Sequence, residues 1–334
     1  MPENVLVTGA TGFLGRHLLP ALCRRGYRVR ALVRDPEAHL WLARYEHVTT
    51  VQGDVLDGAS LERALDGAGA VIHAAGRFRF WGRDDDFTPV NVDGTRQVMQ
   101  AARASGVRRL VHVSTIAVIG QPEPGRLVDE EHPAHPADPY QRSKLAGEGV
   151  VREAVAGGLD AVIVRPGAFY GPLGQYGFNR LFFRDPMRGL IMQMDYGRHI
   201  IFPAYVPDVA AGIILALEGG RRGEIYNLCD APLSHRSAFD VVCAEAGLHW
   251  PRISVPGWVG LTTGRLMEGV SRVTGREPFY PLNLRSYVYN DWRVTYDKAA
   301  RELGFTPTPF AEGARRTIAW YRAGKPDRIA ETEC

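Results

Sequence analysis

The stretch that decides the fold is NVLVTGATGFLG, residues 4–15. Residues 4–8 predict a short buried strand, and the apolar spacing through Leu18, Leu19 and Leu22 predicts a helix after the glycines. Glycines in a strand-to-helix turn let the backbone approach a pyrophosphate, which binds the positive end of the helix dipole. The spacing is G-x-x-G-x-x-G, and its context between strand and helix indicates a dinucleotide-binding unit.

The alternation of strand and helix continues beyond this unit. Apolar runs predict further strands at 27–33, 47–52, 70–76, 109–113, 160–164 and 224–228. Helical patterns separate most of them, and strands that alternate with helices form parallel sheets covered on both faces. The predicted fold class is therefore α/β, with a doubly wound parallel Rossmann-like sheet.

Residues at the ends of these strands suggest how a cofactor would be held. Arg34 follows the second strand, where its charge suits a 2′-phosphate and favours NADP over NAD; the alternative is a solvated arginine paired with Asp35. Asp54 follows the third strand and would either accept a hydrogen bond from adenine or cap the next helix. The small residues Ala74 and Ala75 would let the cofactor lie against the backbone.

A helix that begins near residue 138 carries the candidate chemistry. Asp138 suits its N-cap and Pro139 its first position. Tyr140 and Lys144 are one turn apart and so share a face. An ammonium beside a phenol is expected to lower the phenol pKa, which would make the pair a proton donor and acceptor. The alternative is a surface tyrosine beside a surface lysine.

An aromatic loop at residues 77–83 leaves the edge of the sheet at which ligands bind. We place Phe78 and Trp81 in the wall of a small-molecule substrate site, together with Phe169. Basic and aromatic residues that alternate also suit single-stranded nucleic acid, but one short stretch in a nearly neutral protein is weak support for it. The acidic residues 84–86 predict a solvated turn; because consecutive side chains diverge, no metal site is expected there.

Composition narrows the class of protein further. The chain has 334 residues, of which 45% are hydrophobic and 23% charged, and its net charge is +3. These values are ordinary for a globular protein and do not point to nucleic acid as a partner. Scattered cysteines predict reduced thiols, no disulfide framework, no zinc site and a cytoplasmic protein. They are Cys23, Cys229, Cys243 and Cys334.

The chain shows neither a signal peptide nor an apolar run of about 18 residues, so no membrane span is expected. One stretch leaves room for peripheral contact with a membrane. Its apolar residues would form either an amphipathic helix on a membrane surface or, as we favour, a core face or a lid over the active site. They are Trp258, Leu261, Leu266 and Met267.

Taken together in this order, the motifs resemble the extended short-chain dehydrogenase/reductases, the NAD-dependent epimerase/dehydratase superfamily, over nearly the whole chain. The matching pieces are residues 8–15, 53–55, 73–76, 91–95, 114–115, 140–144 and 165–167. The resemblance implies an NAD(P)-binding domain at 1–166, with later returns near 204–230. It also implies a smaller, partly discontinuous C-terminal substrate domain at 167–330. A homodimer through the helices that begin near Asn91 and Tyr140 is expected.

The resemblance also implies roles for individual residues. Thr115, with Ser114 as the fallback, would polarise the substrate carbonyl, Tyr140 would pass a proton to or from its oxygen, and Lys144 would bind the nicotinamide ribose. The residues expected at the cofactor are Gly9, Thr11, Gly12, Phe13, Leu14, Arg34, Asp54, Val55, Ala74, Ala75, Tyr140, Lys144 and Pro166.

Three features place the chain within this superfamily. Sugar dehydratases carry Asp-Glu after the catalytic threonine, whereas Ile116 and Ala117 stand here, so dehydration is not expected. Arg34 departs from the acid that epimerases carry. The loop at 80–83 and the C-terminal stretches at 298–305 and 318–321 resemble those of the 3β-hydroxysteroid dehydrogenase and dihydroflavonol-reductase-like branch.

The hypothesis is therefore an NAD(P)-dependent oxidoreductase that interconverts a secondary alcohol and a ketone on an apolar or cyclic, steroid-like or flavonoid-like, substrate. One alternative is a nucleotide-sugar epimerase with tightly bound NAD, whose diphosphate site Arg180, Arg184 or Arg188 would supply. Another is a non-catalytic cofactor-sensing protein, although such proteins usually lose the tyrosine or the lysine.

Overall fold

A computed structural model describes residues 4–249, 251–278 and 281–327, without the side chain of Arg272. Cys334 and the last residues of the proposed 167–330 domain, 328–330, lie outside the described residues. Three of the four cysteines, Cys23, Cys229 and Cys243, are buried free thiols.

The strands, in chain order, are β1 (Asn4–Thr8), β2 (Arg28–Val33), β3 (Val48–Gln52), β4 (Ala70–His73), β5 (Arg109–Val113), β6 (Ala161–Pro166), β7 (Ala168–Tyr170), β8 (Ile191–Met194), β9 (Ile200–Ile201), β10 (Pro203–Tyr205), β11 (Ile225–Leu228), β12 (Leu233–Ser234) and β13 (Arg252–Val255).

The α-helices are α1 (Gly15–Arg24), α2 (Gly58–Leu65), α3 (Asp84–Thr88), α4 (Gly94–Ala104), α5 (Pro139–Ala156), α6 (Asp185–Met187), α7 (Val206–Gly219), α8 (His235–Ala246), α9 (Gly257–Thr274), α10 (Arg285–Val288), α11 (Asp297–Leu303) and α12 (Phe310–Arg322). A π-helical turn over Pro89–Asp93 leads into α4, and α1 runs through Pro20 as one helix.

Seven strands form one parallel sheet in the order β3-β2-β1-β4-β5-β6-β11. One face is covered by a core that includes Leu19 of α1 and Ile213 of α7, the other by a core that includes Val98 of α4 and Val151 of α5. The predicted doubly wound α/β fold is confirmed. α4 and α5 pack side by side, and the homodimer expected through them stays a prediction.

The strand order reverses between β1 and β4, and open α/β sheets bind ligands at such a switch point. The glycine turn after β1 and the small residues after β4 meet there. A side chain at Gly9 would place its Cβ 2.6 Å from the carbonyl carbon of Ala74, and Gly9 has a positive φ of 72°. Glycine is therefore required where the two strands leave the sheet.

Beyond β6 the chain builds a smaller layer around the pairs β7–β10, β9–β12 and β8–β13. Its core contains Phe182, Phe239 and Ile318. Among the described residues, no helix is both long and apolar enough to span a membrane.

Two local predictions are corrected here. The acidic residues 84–86 do not form a turn but begin α3, because acids stabilise a helix N-terminus and Asp86 Oδ2 accepts from the Arg83 N–H at 2.8 Å. In α9, Leu261 and Met267 are partly buried, but Trp258 and Leu266 are exposed, so a core face describes only half of the apolar stretch.

Candidate active site

The glycine turn has the shape that a dinucleotide pyrophosphate requires. The Gly12 N–H donates to the Gly9 carbonyl at 3.1 Å, which closes the turn. A Cβ on Gly15 would collide with the Ala10 carbonyl oxygen, so the glycine lets α1 pack against β1. The first turn of α1 carries Arg16, and a basic rather than acidic first turn leaves the helix N-terminus positive. These residues therefore fit the cofactor that the sequence predicts.

The other residues of this turn differ in their surroundings. Thr11 is partly exposed, whereas Leu14 is buried in the core. The Phe13 ring meets the ring of Phe169 edge to face at 6.3 Å. Phe169, which we expected in the substrate site, therefore packs on the cofactor turn.

Arg34 is exposed directly after β2 and, within the described part of the chain, makes no ion pair. Asp35 instead accepts from the Ala38 N–H at 3.2 Å, so the alternative of an Arg34–Asp35 pair is not realised. Arg34 is thus open to solvent at the edge where the adenosine ribose of a bound dinucleotide would lie.

The helix after the third strand, α2, has a different N-cap residue from the Asp54 that the sequence suggested. Asp57, not Asp54, is the N-cap of α2 and accepts from the Ala59 N–H at 3.1 Å. Asp54 accepts from the Leu56 N–H at 3.0 Å. Val55 is buried against Gly94 of α4. Pro166 is the last, buried residue of β6.

The N-terminus of α5 is built as predicted. Asp138 accepts from the Gln141 N–H at 2.8 Å, and Pro139 occupies the first turn. Lys144 is buried, and its Nζ donates to the Val113 carbonyl at 2.8 Å, at the carboxyl end of β5. A Cβ on Gly76, just beyond β4, would lie 3.9 Å from that Nζ. Lys144 therefore reaches the sheet edge close to the switch point.

The pKa of Tyr140 shifts in the opposite direction from the one expected beside Lys144. Burial, and after it the charge of Asp138, raises the pKa of Tyr140, although contact with Thr115 opposes the rise. Burial also lowers the pKa of Lys144 to about 8. The predicted fall in the Tyr140 pKa is thus wrong for this arrangement, because desolvation of the phenol is the largest contribution and disfavours the charged form. Tyr140 is consequently held as a neutral phenol in this arrangement.

The two candidate hydroxyls beside Tyr140 have different partners. Ser114 donates to Glu148 Oε1 at 2.7 Å and is buried. Thr115 is partly exposed, caps the turn at Ile116–Ile119 by accepting from the Ala117 N–H at 3.2 Å, and interacts with Tyr140. Of these two hydroxyls, that of Thr115 is therefore the one that interacts with Tyr140.

A series of buried hydrogen bonds next to the site was not predicted from the sequence. Ala75 N–H donates to Thr8 Oγ1 at 3.1 Å, which in turn lies 2.8 Å from His73 Nδ1. His73 Nε2 lies 3.1 Å from Thr95 Oγ1, and Thr95 donates to the Asn91 carbonyl at 2.8 Å. Burial lowers the pKa of His73 to about 3. A neutral His73 protonated on Nε2 satisfies every step, so His73 has a structural role.

Asn91 ties the aromatic loop to α5. Its Oδ1 accepts from the Arg77 N–H at 2.8 Å, and its Nδ2 donates to Ser143 Oγ at 2.8 Å. Asn91 is therefore a positioning residue, since it fixes the loop beside Tyr140. The matching stretch at 91–95 signalled its importance but not this contact.

A buried ion pair anchors the middle of α5. Arg165 Nε and Nη2 donate to the two carboxylate oxygens of Glu148, each at 2.8 Å. Both side chains are buried, whereas Arg152, which also contacts Glu148, is half exposed. Lys144 and Glu148 are one turn apart, so the pair holds the helix face that carries the candidate site.

Aromatic rings form the wall next to the reacting hydroxyl. The Phe78 ring centroid lies 4.8 Å from that of Tyr140, and Phe78 also contacts Phe80 at 5.0 Å. Phe80 stacks on Tyr176 at 5.5 Å and meets Tyr287 at 5.2 Å. Trp81 is partly buried, but no ring contact joins it to this wall in the described part of the chain.

A pocket continues outward from this wall. Phe80 and Tyr176 of the wall line it, together with apolar residues that include Leu181, Met192, Pro278 and Leu284. Two of the three arginines considered for a diphosphate lie close to Asp185, Arg180 at 3.5 Å and Arg184 at 3.0 Å, while Arg188 is exposed. Most of the side chains that line the pocket are thus apolar, and the single carboxylate of Asp185 offsets part of the positive charge of Arg180 and Arg184.

Comparisons with known proteins agree with this arrangement. The sequence matches the NAD dependent epimerase/dehydratase family over residues 5–229. It is 33% identical to a 4-hydroxy-2-methyl-3-oxo-4-farnesyl-3,4-dihydroquinoline-1-oxide ketoreductase of Stigmatella aurantiaca, over 90% of this chain and 91% of that protein. It is also 33% identical to sterol demethylase protein B of Methylococcus capsulatus, over 96% and 98% of the two chains.

A solved structure shows the same architecture. It is DesIV, a dTDP-glucose 4,6-dehydratase from Streptomyces venezuelae with NAD and TYD bound. Its TM-score with this chain is 0.77 at 28% identity, and the similarity covers 96% of this chain and 97% of that one.

Proposed function

This chain belongs to the NAD-dependent epimerase/dehydratase family and is an NAD(P)-dependent enzyme of the extended short-chain dehydrogenase/reductase type, and from that premise we propose that it reduces a ketone on a large apolar or cyclic substrate, or oxidises the corresponding secondary alcohol. The observation that carries the proposal is the aromatic wall of Phe78, Phe80 and Tyr176 directly beside Tyr140. Such a wall favours an apolar body with one polar reacting group.

The relatives support the same substrate class. The names of two of them refer to a farnesyl-bearing quinoline oxide and to a sterol, both largely apolar and cyclic. The pairing of Arg180 and Arg184 with Asp185 leaves less free positive charge for a nucleotide diphosphate. An epimerase acting on a nucleotide sugar is thus the alternative against which the proposal is tested.

The chain's own residues suit reduction. When bound, the cofactor supplies the hydride. Tyr140, kept protonated by burial, donates its proton to the substrate oxygen, and Thr115 orients that oxygen. Lys144, held by the Val113 carbonyl at the sheet edge, would bind the nicotinamide ribose. Phe78 excludes water from one side of the reacting group.

The first prediction concerns the substrate. In an NADPH-oxidation assay we expect turnover of bulky cyclic ketones, with kcat/KM rising as apolar area is added, because about 25 cal/mol is gained for each Å² buried. Phe78→Ala should lower kcat/KM for the bulky ketones more than for small ones. Activity on UDP-glucose, with no turnover of any ketone, would contradict the proposal.

The second prediction concerns the cofactor. We propose that NADP is preferred to NAD because the Arg34 guanidinium is exposed and unpaired among the described residues where a 2′-phosphate would lie. Arg34→Ala should lower the ratio of kcat/KM for NADPH to that for NADH by about tenfold or more, the effect of losing a charge-assisted hydrogen bond.

Arg28→Ala is the matched control, since Arg28 is exposed at the opposite end of the same strand. It should leave the cofactor ratio unchanged. An unchanged ratio in Arg34→Ala would show that Arg34 does not read the phosphate.

A further inference from the structure

Helix α9 exposes several of its large apolar side chains and buries small residues, the reverse of an ordinary surface helix. Its buried side carries the small residues Gly260, Gly264 and Ser271. A Cβ on Gly260 would meet Met194 Sδ at 3.3 Å, so this side packs closely against the protein. Amphipathic helices of globular proteins bury their large apolar side chains instead.

The outer side of α9 is a stripe of large apolar residues. Trp258, Leu266, Val270 and Val273 are 72%, 69%, 63% and 89% exposed. With Thr262 between Trp258 and Leu266, they follow one another at steps of four, four, four and three residues, which places them on one helix face. The Thr262 hydroxyl donates to the Trp258 carbonyl at 2.8 Å, so the polar group within the stripe is satisfied by the helix itself.

Apolar exposure is concentrated in this part of the molecule. Of the eleven large apolar side chains that are exposed in the described part of the chain, seven lie on α9 or on the adjoining segments around β8 and β13. The other three of these seven are Leu190, Tyr196 and Ile253. Such a concentration of exposed apolar side chains is typical of an interaction site.

Charge indicates which partner fits. Residues 257–276 contain three arginines and one glutamate. Arg265 and Arg276 are exposed and make no ion pair within the described residues. The glutamate, Glu268, accepts from the Leu282 N–H at 3.1 Å and is directed back to the protein. A second copy of α9 would thus bring arginine towards arginine, whereas a phospholipid surface offers both anionic headgroups and an apolar layer.

We propose that α9 binds the surface of an anionic lipid bilayer, with its axis in the plane of the membrane and the Trp258–Val273 stripe in the headgroup–acyl boundary. The segment after α9 connects this surface to the pocket, because Glu277 accepts from the Tyr176 hydroxyl and Pro278 lines the pocket. The pocket then opens beside the membrane, where an apolar substrate dissolves. That delivery rests on the proposed function; lipid binding does not.

Vesicle flotation of the whole protein tests the inference. The vesicles contain equal amounts of phosphatidylcholine and phosphatidylglycerol, with pure phosphatidylcholine for comparison. Wild type should float with the anionic vesicles, and Leu266→Glu/Val273→Glu should lower its partition coefficient by about tenfold or more because two apolar anchors are replaced by carboxylates. Arg265→Glu should lower it roughly fivefold or more, and added salt should weaken wild-type binding.

Leu127→Glu is the matched control, since Leu127 is also an exposed leucine but lies in a loop rather than on α9. It should float like wild type, and all variants should keep the wild-type unfolding temperature. The inference is overturned if wild type does not float or if the double variant floats equally well. It is also overturned if wild type does not bind vesicles but forms a dimer, and the double variant is a monomer. None of these readouts requires turnover, so failure here is distinct from failure of the proposed function.

Discussion

Tyr140→Phe is expected to lower kcat for ketone reduction by about 10²–10⁴-fold, the usual contribution of a positioned general acid. The variant removes one hydroxyl and keeps the ring that packs on Phe78 and Phe87. KM for NADPH should therefore change little. The measurement is steady-state NADPH oxidation with the best ketone of the panel, together with the unfolding temperature.

Tyr321→Phe provides the control for removing a phenol. Tyr321 is also partly buried, but within the described residues its hydroxyl makes long hydrogen bonds, at 3.3 and 3.5 Å, to the backbone carbonyls of Gly174 and Asn179. It should keep wild-type kcat. If Tyr140→Phe stays within a few-fold of wild type while folded, Tyr140 is not the proton donor and the catalytic assignment fails.

Arg165→Ala is expected to lower the free energy of unfolding by about 3–5 kcal/mol, because it leaves the buried Glu148 carboxylate without its bidentate partner. Burial alone would raise the pKa of Glu148; the hydrogen bonds and charge of Arg165 instead hold it below its usual value. Urea unfolding, followed by circular dichroism at several pH values, measures the loss.

The sign of the pH dependence follows from these directions. In wild type the depressed pKa of Glu148 contributes stability above the ordinary glutamate pKa, and this is lost as pH falls through the folded value. In Arg165→Ala the Glu148 carboxyl keeps only Ser114 and the half-exposed Arg152 among its described partners, so it should titrate at higher pH, since burial favours its neutral form. The difference in free energy of unfolding between wild type and Arg165→Ala should therefore become smaller as the pH is lowered.

Arg152→Ala separates this effect from general charge removal. Arg152 contacts the same Glu148 at 3.0 Å but is half exposed, so its loss should cost about 0–1 kcal/mol. A loss as large as that of Arg165→Ala would mean that the burial of the pair is not what sets the energy. Glu148→Met/Arg165→Met should be more stable than Arg165→Ala, because neither charge is then left unpaired.

The sequence predicted the features that depend on local pattern. β1 and β5 have the predicted bounds. The ends of the other strands of the large sheet lie within a few residues of the predicted ones. Asp138 and Pro139 begin α5 as expected, because capping and fixed φ act within one turn of chain.

Features that depend on distant contacts were missed or predicted with the wrong sign. The Tyr140 pKa shifts upward because desolvation depends on everything packed around the phenol, which a spacing of four residues does not reveal. The Glu148–Arg165 pair joins residues 17 positions apart on different elements. The contact between Phe169 and Phe13 joins residues 156 positions apart and was not predicted.

The order of strands, glycines and the tyrosine–lysine turn was sufficient to establish a cofactor-binding α/β enzyme, since each of these features is encoded within a few neighbouring residues. Only the tertiary structure showed which hydroxyl faces Tyr140, which arginines are already paired and which side of α9 meets solvent. Burial and long-range charge are properties of the packed chain, and segments far apart in sequence jointly decide them.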